Sequence, residues 1–163
     1  MPPPPVPSSE NSPRREELLV QGLVLGGRAM KHLLRPELER RGLTSPMFWA
    51  LHQLVLDGPQ SVGALAGACI VTPAIVSSSG DALVAAGLVS RRESAKDRRF
   101  VVLVATARGR SVHRAVWSHV GRQVLASLDG VASSELETTV RVLERLAGAP
   151  SASTREAAVV EAA

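Results

Sequence analysis

TPAIVSSSGDALVAAGLVSRRESAKDRRFVVLVA, residues 72 to 105, changes its hydrophobic period part-way along. In the first half Ile75, Val76, Ser79, Leu83 and Ala86 fall near helical spacing and are expected to face inward. Thr72 suits the N-cap of such a helix, and Pro73 suits its first position, where an intrahelical donor is not needed. Gly87 is the expected stop. From there the pattern reads as strands, Leu88 to Arg92 and Phe100 to Ala105, the second with Val or Leu at most places. Glu93 to Arg99 between them is too polar to be core. A helix followed by a basic hairpin is the plan of a winged helix-turn-helix, in which the helix can enter a DNA groove and the hairpin can reach the backbone beside it.

Working outward, Ser45-Pro46 opens a helix with Met47, Leu51, Leu54 and Val55 inward, and Asp57-Gly58-Pro59 ends it. Ser61 opens a shorter helix in which Val62, Leu65, Ala66 and Cys69 share a face, and Ile70-Val71 is the turn back to Thr72. These two short helices form the helix-turn-helix. Downstream, Thr106 caps a long helix to about Leu128, with Val116, Val120, Val124 and Leu128 as its inner stripe. Ser134-Glu-Leu-Glu137 matches a capping box for a final helix carrying Leu136, Val140, Leu143 and Leu146. Gly148-Ala-Pro150 stops it.

At the other end Arg14 to Arg41 reads as a helix with a broad apolar surface, from Leu18, Leu19 and Leu23 to Leu33, Leu34 and Leu38. Pro36 is expected to kink or interrupt it. Gly22, Gly26 and Gly27 either admit close approach of another helix or simply weaken this one. Residues 1–13 hold six prolines and read as an extended disordered arm. Residues 149–163 read as a flexible tail. The expected fold is mainly α with a small β-hairpin. A winged lobe (43–106) is flanked by helical regions (14–41 and 107–148) that together form a dimerisation base.

The chain has 163 residues, enough for one domain with an appended oligomerisation region. With two Phe, two Trp and no Tyr, the core must be built from Leu, Val and Ala. The net charge of +4 leans mildly toward polyanions. One cysteine excludes an internal disulfide and suits a reducing cytoplasm. No apolar run reaches the roughly 18 residues of a membrane span, and the proline-rich start lacks the pattern of a secretory signal. A cytoplasmic protein with no membrane partner and no cofactor is expected.

The run from Leu83 to Gly109 resembles the MarR family of bacterial transcriptional regulators. The resemblance rests on Leu83, Gly87-Leu88-Val89, Arg91, Asp97-Arg98-Arg99 and Thr106-Ala-Arg-Gly109, with Gly42-Leu43-Thr44 upstream, and extends over roughly residues 16–147. It implies a homodimer interlocked through its terminal helices, bound to a near-palindromic promoter site and released by a small phenolic or anionic ligand. The wing pair marked in that family is carried here by Asp97 and Arg99.

Expected DNA contacts are Ser61, Thr72, Pro73, Ala74, Ser77, Ser78 and Asp81 in the helix-turn-helix. Arg91, Arg92, Lys96, Asp97, Arg98 and Arg99 join them from the hairpin, where five basic residues oppose Glu93 and Asp97. Relatives often carry basic residues near Ser78 and Ala82, where this chain has none. Binding is therefore expected to lean on phosphate contacts, the wing and DNA shape. Ligand candidates, placed by the resemblance between base and lobe, are Arg28, His32, Trp49, His52, His113 and Trp117. Ordinary helix packing is the competing account of each.

Some relatives bind zinc, but His32, His52, His113 and His119 form no His-x3-His pair, and no metal site is expected. Cys69, on the inner face of its helix, is expected in the core and inert. Ser77-Ser-Ser-Gly80 lacks the first glycine and the preceding strand of a nucleophile elbow, so no catalytic residue is assigned and the chain is not expected to be an enzyme. The alternative function is a winged-helix module for protein interaction or non-specific DNA binding that has lost operator recognition.

Overall fold

Leu51, Leu65 and Leu83 come from three successive short helices, and each is 0% exposed, as is Phe48. Burying one such side chain is worth about 1.5–3 kcal/mol, so this point holds the three helices together. The computed structural model describes residues 12–94, 100–146 and 148. The Pro-rich arm up to residue 11, the wing tip (95–99) and the tail from residue 149 lie outside the described residues. The elements are α1 (Ser12–Arg40), α2 (Ser45–Leu56), α3 (Val62–Cys69), α4 (Pro73–Ala85), β1 (Val89–Glu93), β2 (Val101–Ala105), α5 (Ala107–Ser127) and α6 (Ser133–Leu146).

The chain divides into two compact units, Met1–Gln123 and Val124–Ala163. In the first, α2, α3 and α4 pack on one another and on an antiparallel hairpin in which Val89 pairs with Ala105 and Arg91 with Leu103. Leu88, Val89, Leu103 and Ala105 carry the core onto the hairpin. Leu34 and Leu38 of α1 and Val116 and Val120 of α5 are buried too. Buried Glu37 is held by Arg40 and by Arg41, whose Nε donates at 2.8 Å. Burial alone would raise this carboxyl, but the two arginines outweigh it and the net shift is downward. In the second unit α6 has no buried residue, and Val140, Leu143 and Leu146 are 51%, 44% and 59% exposed.

Helix ends follow local chemistry. Thr44 accepts from the Met47 N–H at 3.4 Å and Ser61 from the Ala64 N–H at 3.2 Å, starting α2 and α3. The C-terminus of α4 is a Schellman motif. Gly87, at φ +69°, donates to the Val84 carbonyl, and Leu88 donates to the Leu83 carbonyl, both at 2.9 Å. Thr106 opens α5: its Oγ1 accepts from the Gly109 N–H at 3.0 Å and donates toward the Gly87 and Leu88 carbonyls at 2.8 and 3.1 Å.

Several expectations need correction. Ile75 is 41% exposed and Ala86 is also exposed, because α4 is covered on one side only and its buried stripe is Val76, Ser79, Gly80 and Leu83. Thr72 stands at the N-cap, but its side chain makes no capping hydrogen bond. β1 begins at Val89 rather than Leu88, since the Leu88 N–H is spent on the end of α4. β2 begins at Val101, one residue after Phe100. α1 begins at Ser12 and runs on through Pro36 as one helix of 29 residues. Pro36 is exposed, where water can replace the lost bond. In place of the expected capping box at Ser134–Glu137, Glu135 accepts from the Ala132 N–H at 3.0 Å, two residues earlier, with no N-cap hydroxyl to return the bond. Val124 and Leu128 are only half-buried. A bridge the sequence did not announce joins Gln60 to Leu103, through bonds of 3.1 and 2.8 Å.

Two glycines sit in close contact. A Cβ on Gly80 would lie 3.1 Å from Leu103 Cδ1, a side-chain end that would have to give by a few tenths of an ångström. A Cβ on Gly109 would lie 2.1 Å from the Leu88 carbonyl oxygen. That collision is with backbone, so Gly109→Ala is expected to destabilise by about 3 kcal/mol or more in urea unfolding. The opposite case is Ile70, which ends α3 at φ 54° and is 92% exposed. A β-branched residue in the left-handed region costs about 1–2 kcal/mol. Ile70→Gly loses almost no burial, and after the added freedom of the unfolded chain it is expected to raise stability by about 0.5–1 kcal/mol.

Candidate nucleic-acid interface

The axes of α3 and α4 meet at 110°, within the range for a helix-turn-helix. α4 buries one stripe against α2, α3 and β2 and leaves the other side open. Thr72, Pro73, Ala74, Ser78 and Asp81 are exposed on that side, and Ser77 is half-buried. Ser61 is half-buried, and its oxygen is already used as the cap of α3. Asp81 is the one charged residue within α4, and it pairs with Arg91 of β1 across the surface. Arg92 beside it is exposed. Lys96, Asp97, Arg98 and Arg99 lie outside the described residues. Phe100 and Val101, not singled out in the sequence, stand 60% and 55% exposed after the wing tip. The open face of α4 is thus neutral apart from one paired carboxylate, with cationic charge on the adjoining hairpin.

The six ligand candidates fall into two groups that meet at Trp49. Arg28, His32 and Trp49 line an open groove of about 1010 Å³ along α1 and the start of α2, with Leu23, Met30, Leu34 and Leu38 as its apolar floor. His52, His113 and Trp117 are instead packed together. Trp117 Nε1 donates to His52 Nδ1 at 3.1 Å, and His113 Nε2 lies 2.8 Å from that same atom. Since an indole N–H only donates, His52 Nδ1 is the acceptor toward Trp117, and the direction of its contact with His113 Nε2 follows from the tautomers. Phe48 lies beneath, with ring centroids 6.3, 5.9 and 5.8 Å from those of His52, His113 and Trp117. Trp49 lies 5.5 Å from His52 and 6.3 Å from Trp117. Phe48 was missed as part of this site. The readable signal was two i,i+4 pairs, Phe48/His52 and His113/Trp117, each of which puts both rings on one helix face.

Cys69 is not core: it is half-buried beside a second cavity, and burial pushes its thiol up. Among the described residues no group of three or more His, Cys, Asp or Glu could hold a metal ion. No single described helix is long and apolar enough to cross a membrane.

Residues 43–101 match the MarR family model. These residues are similar to the winged-helix domain of that family. The span holds α2, α3, α4 and the hairpin as far as the first residue of β2. Solved structures extend the likeness over most of the chain. RV1404 from Mycobacterium tuberculosis is 25% identical with a TM-score of 0.72, over 83% of this chain and 96% of that one. A MarR-family transcriptional regulator from Silicibacter pomeroyi is 26% identical with a TM-score of 0.62, over 75% and 84%. NadR, solved in complex with 4-hydroxyphenylacetate, is 22% identical with a TM-score of 0.67, over 90% and 98%, and shares the fold. No curated protein matches the chain.

The histidine cluster of this MarR-type lobe sets a pH dependence. Burial lowers His52 from 6.5 to about 4, His113 adds to the shift, and Asp57 opposes it. Burial lowers His113 as well. The unfolded chain therefore takes up protons before the folded one does. Stability is greatest above about pH 6.5 and is expected to fall as pH drops toward about 4. Urea midpoints across that range measure the loss, and His52→Gln should flatten the slope.

Proposed function

We propose that the chain is a homodimeric, sequence-specific DNA-binding transcriptional regulator of the bacterial cytoplasm, which represses by occupying a promoter and is released by a small ligand. The observation that carries this reading is the open face of α4, set at 110° to α3 and flanked by the arginines of β1. α4 enters the major groove, with Thr72, Ser77 and Ser78 within reach of phosphates and base edges. Arg92 and the wing residues Lys96, Arg98 and Arg99 bind phosphates or the minor groove. Asp81 holds Arg91, and through it β1, against the recognition helix.

The dimer is proposed from uncovered apolar surface. Leu18, Leu19, Leu23 and Val24 of α1 are 62%, 53%, 45% and 56% exposed, and α6 presents its own apolar face. A second copy would cover both, making 14–41 and 107–148 the dimerisation regions and 43–106 the DNA-binding lobe, with the arm and tail outside both. The open groove beside Arg28, His32 and Trp49 suits an anionic aromatic ligand. The same fold in NadR was solved with 4-hydroxyphenylacetate. Such a ligand acts only by binding more tightly to the DNA-incompetent arrangement.

A second reading, a module without operator recognition, is favoured by the lack of any basic residue within α4. Fluorescence anisotropy on duplex DNA from upstream of the gene, against a scrambled duplex, separates the two. A specific regulator should prefer its own site by about 1000-fold or more, whereas equal affinity sinks the first reading. On either duplex Arg92→Ala is expected to weaken binding and lower the salt slope by about 0.9. Asp81→Ala removes a negative charge and frees Arg91, so it should tighten binding to both duplexes and narrow the ratio between them.

A further inference from the structure

Behind α4 lies a cavity of about 290 Å³, walled by Trp49 and Ala50 of α2, Cys69 of α3, and Val76 and Ser79 of α4. We propose that it is a binding site for a small neutral molecule, mostly apolar, with one hydrogen-bonding group that meets the Ser79 hydroxyl.

Ser79 is the observation that points to a ligand. It is 7% exposed on the inner stripe of α4, yet among the described residues its hydroxyl has no hydrogen-bond partner. No polar side-chain atom is sealed without a partner in the described residues, so this hydroxyl opens into the cavity that it lines. A mostly buried hydroxyl gains from a hydrogen-bond partner. The rest of the lining is mostly apolar, its other polar groups being Ser45, Lys31, the Trp49 indole and the Cys69 thiol, with Ser45 and Lys31 exposed. A molecule of roughly ten heavy atoms fills the space and displaces poorly held water with apolar contact.

The ligand is neutral because the one charged residue lining the cavity, Lys31, is exposed. Burying an unpaired ion against these walls is unfavourable. The open groove along α1 shares Lys31, Ser45 and Trp49 with this cavity but adds Arg28 and His32, which favour an anion. Its walls belong to one chain, so no second copy is needed to complete it. Since the cavity lies under the inner stripe of α4, its occupant changes how that helix sits on α2. The binding rests on the cavity alone, while its effect on DNA rests on the winged-helix reading.

The test uses the full chain with 1-indanone and indane, the same ring skeleton with and without a carbonyl. Calorimetric titration reads binding directly. Cys69, the only cysteine, adds a positional readout through its rate of modification by N-ethylmaleimide. Expected are saturable binding of 1-indanone, at least five-fold protection of Cys69, and about five-fold weaker binding of indane, the size of one neutral hydrogen bond. Ser79→Ala should erase the difference between the two ligands. The absence of saturable binding up to the solubility limit would overturn the proposal. So would a preference for 1-indanone that survives Ser79→Ala. Saturable binding with unchanged DNA affinity would overturn the coupling to α4. Failure to bind promoter DNA without any ligand would count against the regulator reading and leave the binding result intact.

Discussion

The carbonyl of Leu88 is the point on which the winged lobe depends. It accepts from the Thr106 N–H at 3.0 Å and lies 3.1 Å from Thr106 Oγ1. The N–H of Leu88 closes the end of α4, and its side chain is buried. The end of α4, the start of β1 and the start of α5 therefore meet at one residue. Gly109 is the consequence of that meeting, because α5 passes so close to the carbonyl that no side chain fits. A hairpin whose root is held this firmly can carry exposed arginines at a fixed distance from α4.

The charge distribution follows from how α4 is used. Its buried side needs Val76, Leu83 and the gap at Gly80 to accept Leu103. Its open side is left with small polar groups and one carboxylate, which is tied to Arg91. Cationic charge has moved off the helix onto β1 and the wing. Affinity from such residues is mainly sequence-independent, so under the proposed regulator reading discrimination would rest on a few hydroxyls and on DNA shape.

The histidine cluster shows how packing creates chemistry from ordinary residues. His52 and His113 stand far apart in sequence, on α2 and α5, but share one hydrogen-bonding atom under the Trp117 indole. Burial lowers both imidazoles, and His113 lowers His52 further. The same rings border Trp49, which also lines the open groove, so the groove and the cluster are in physical contact.

The sequence by itself determined every helix and both strands to within about two residues at most ends, because helical and strand periods, Pro and Gly stops and hydroxyl caps are local properties. It also determined the MarR likeness, through Gly87, Thr106 and Gly109 at their spacings. It could not show that Leu88 would be drawn from β1 into a helix cap, or that Gln60 would bridge to Leu103, since both depend on a partner chosen by the tertiary fold. The ligand candidates were legible as residue types but not as groups. Only packing separated Arg28 and His32, on an open groove, from His52 and His113, locked together. Only packing, too, placed Cys69 and an unpartnered Ser79 on one cavity, because convergence from different helices is a property of three dimensions and leaves no period in the chain.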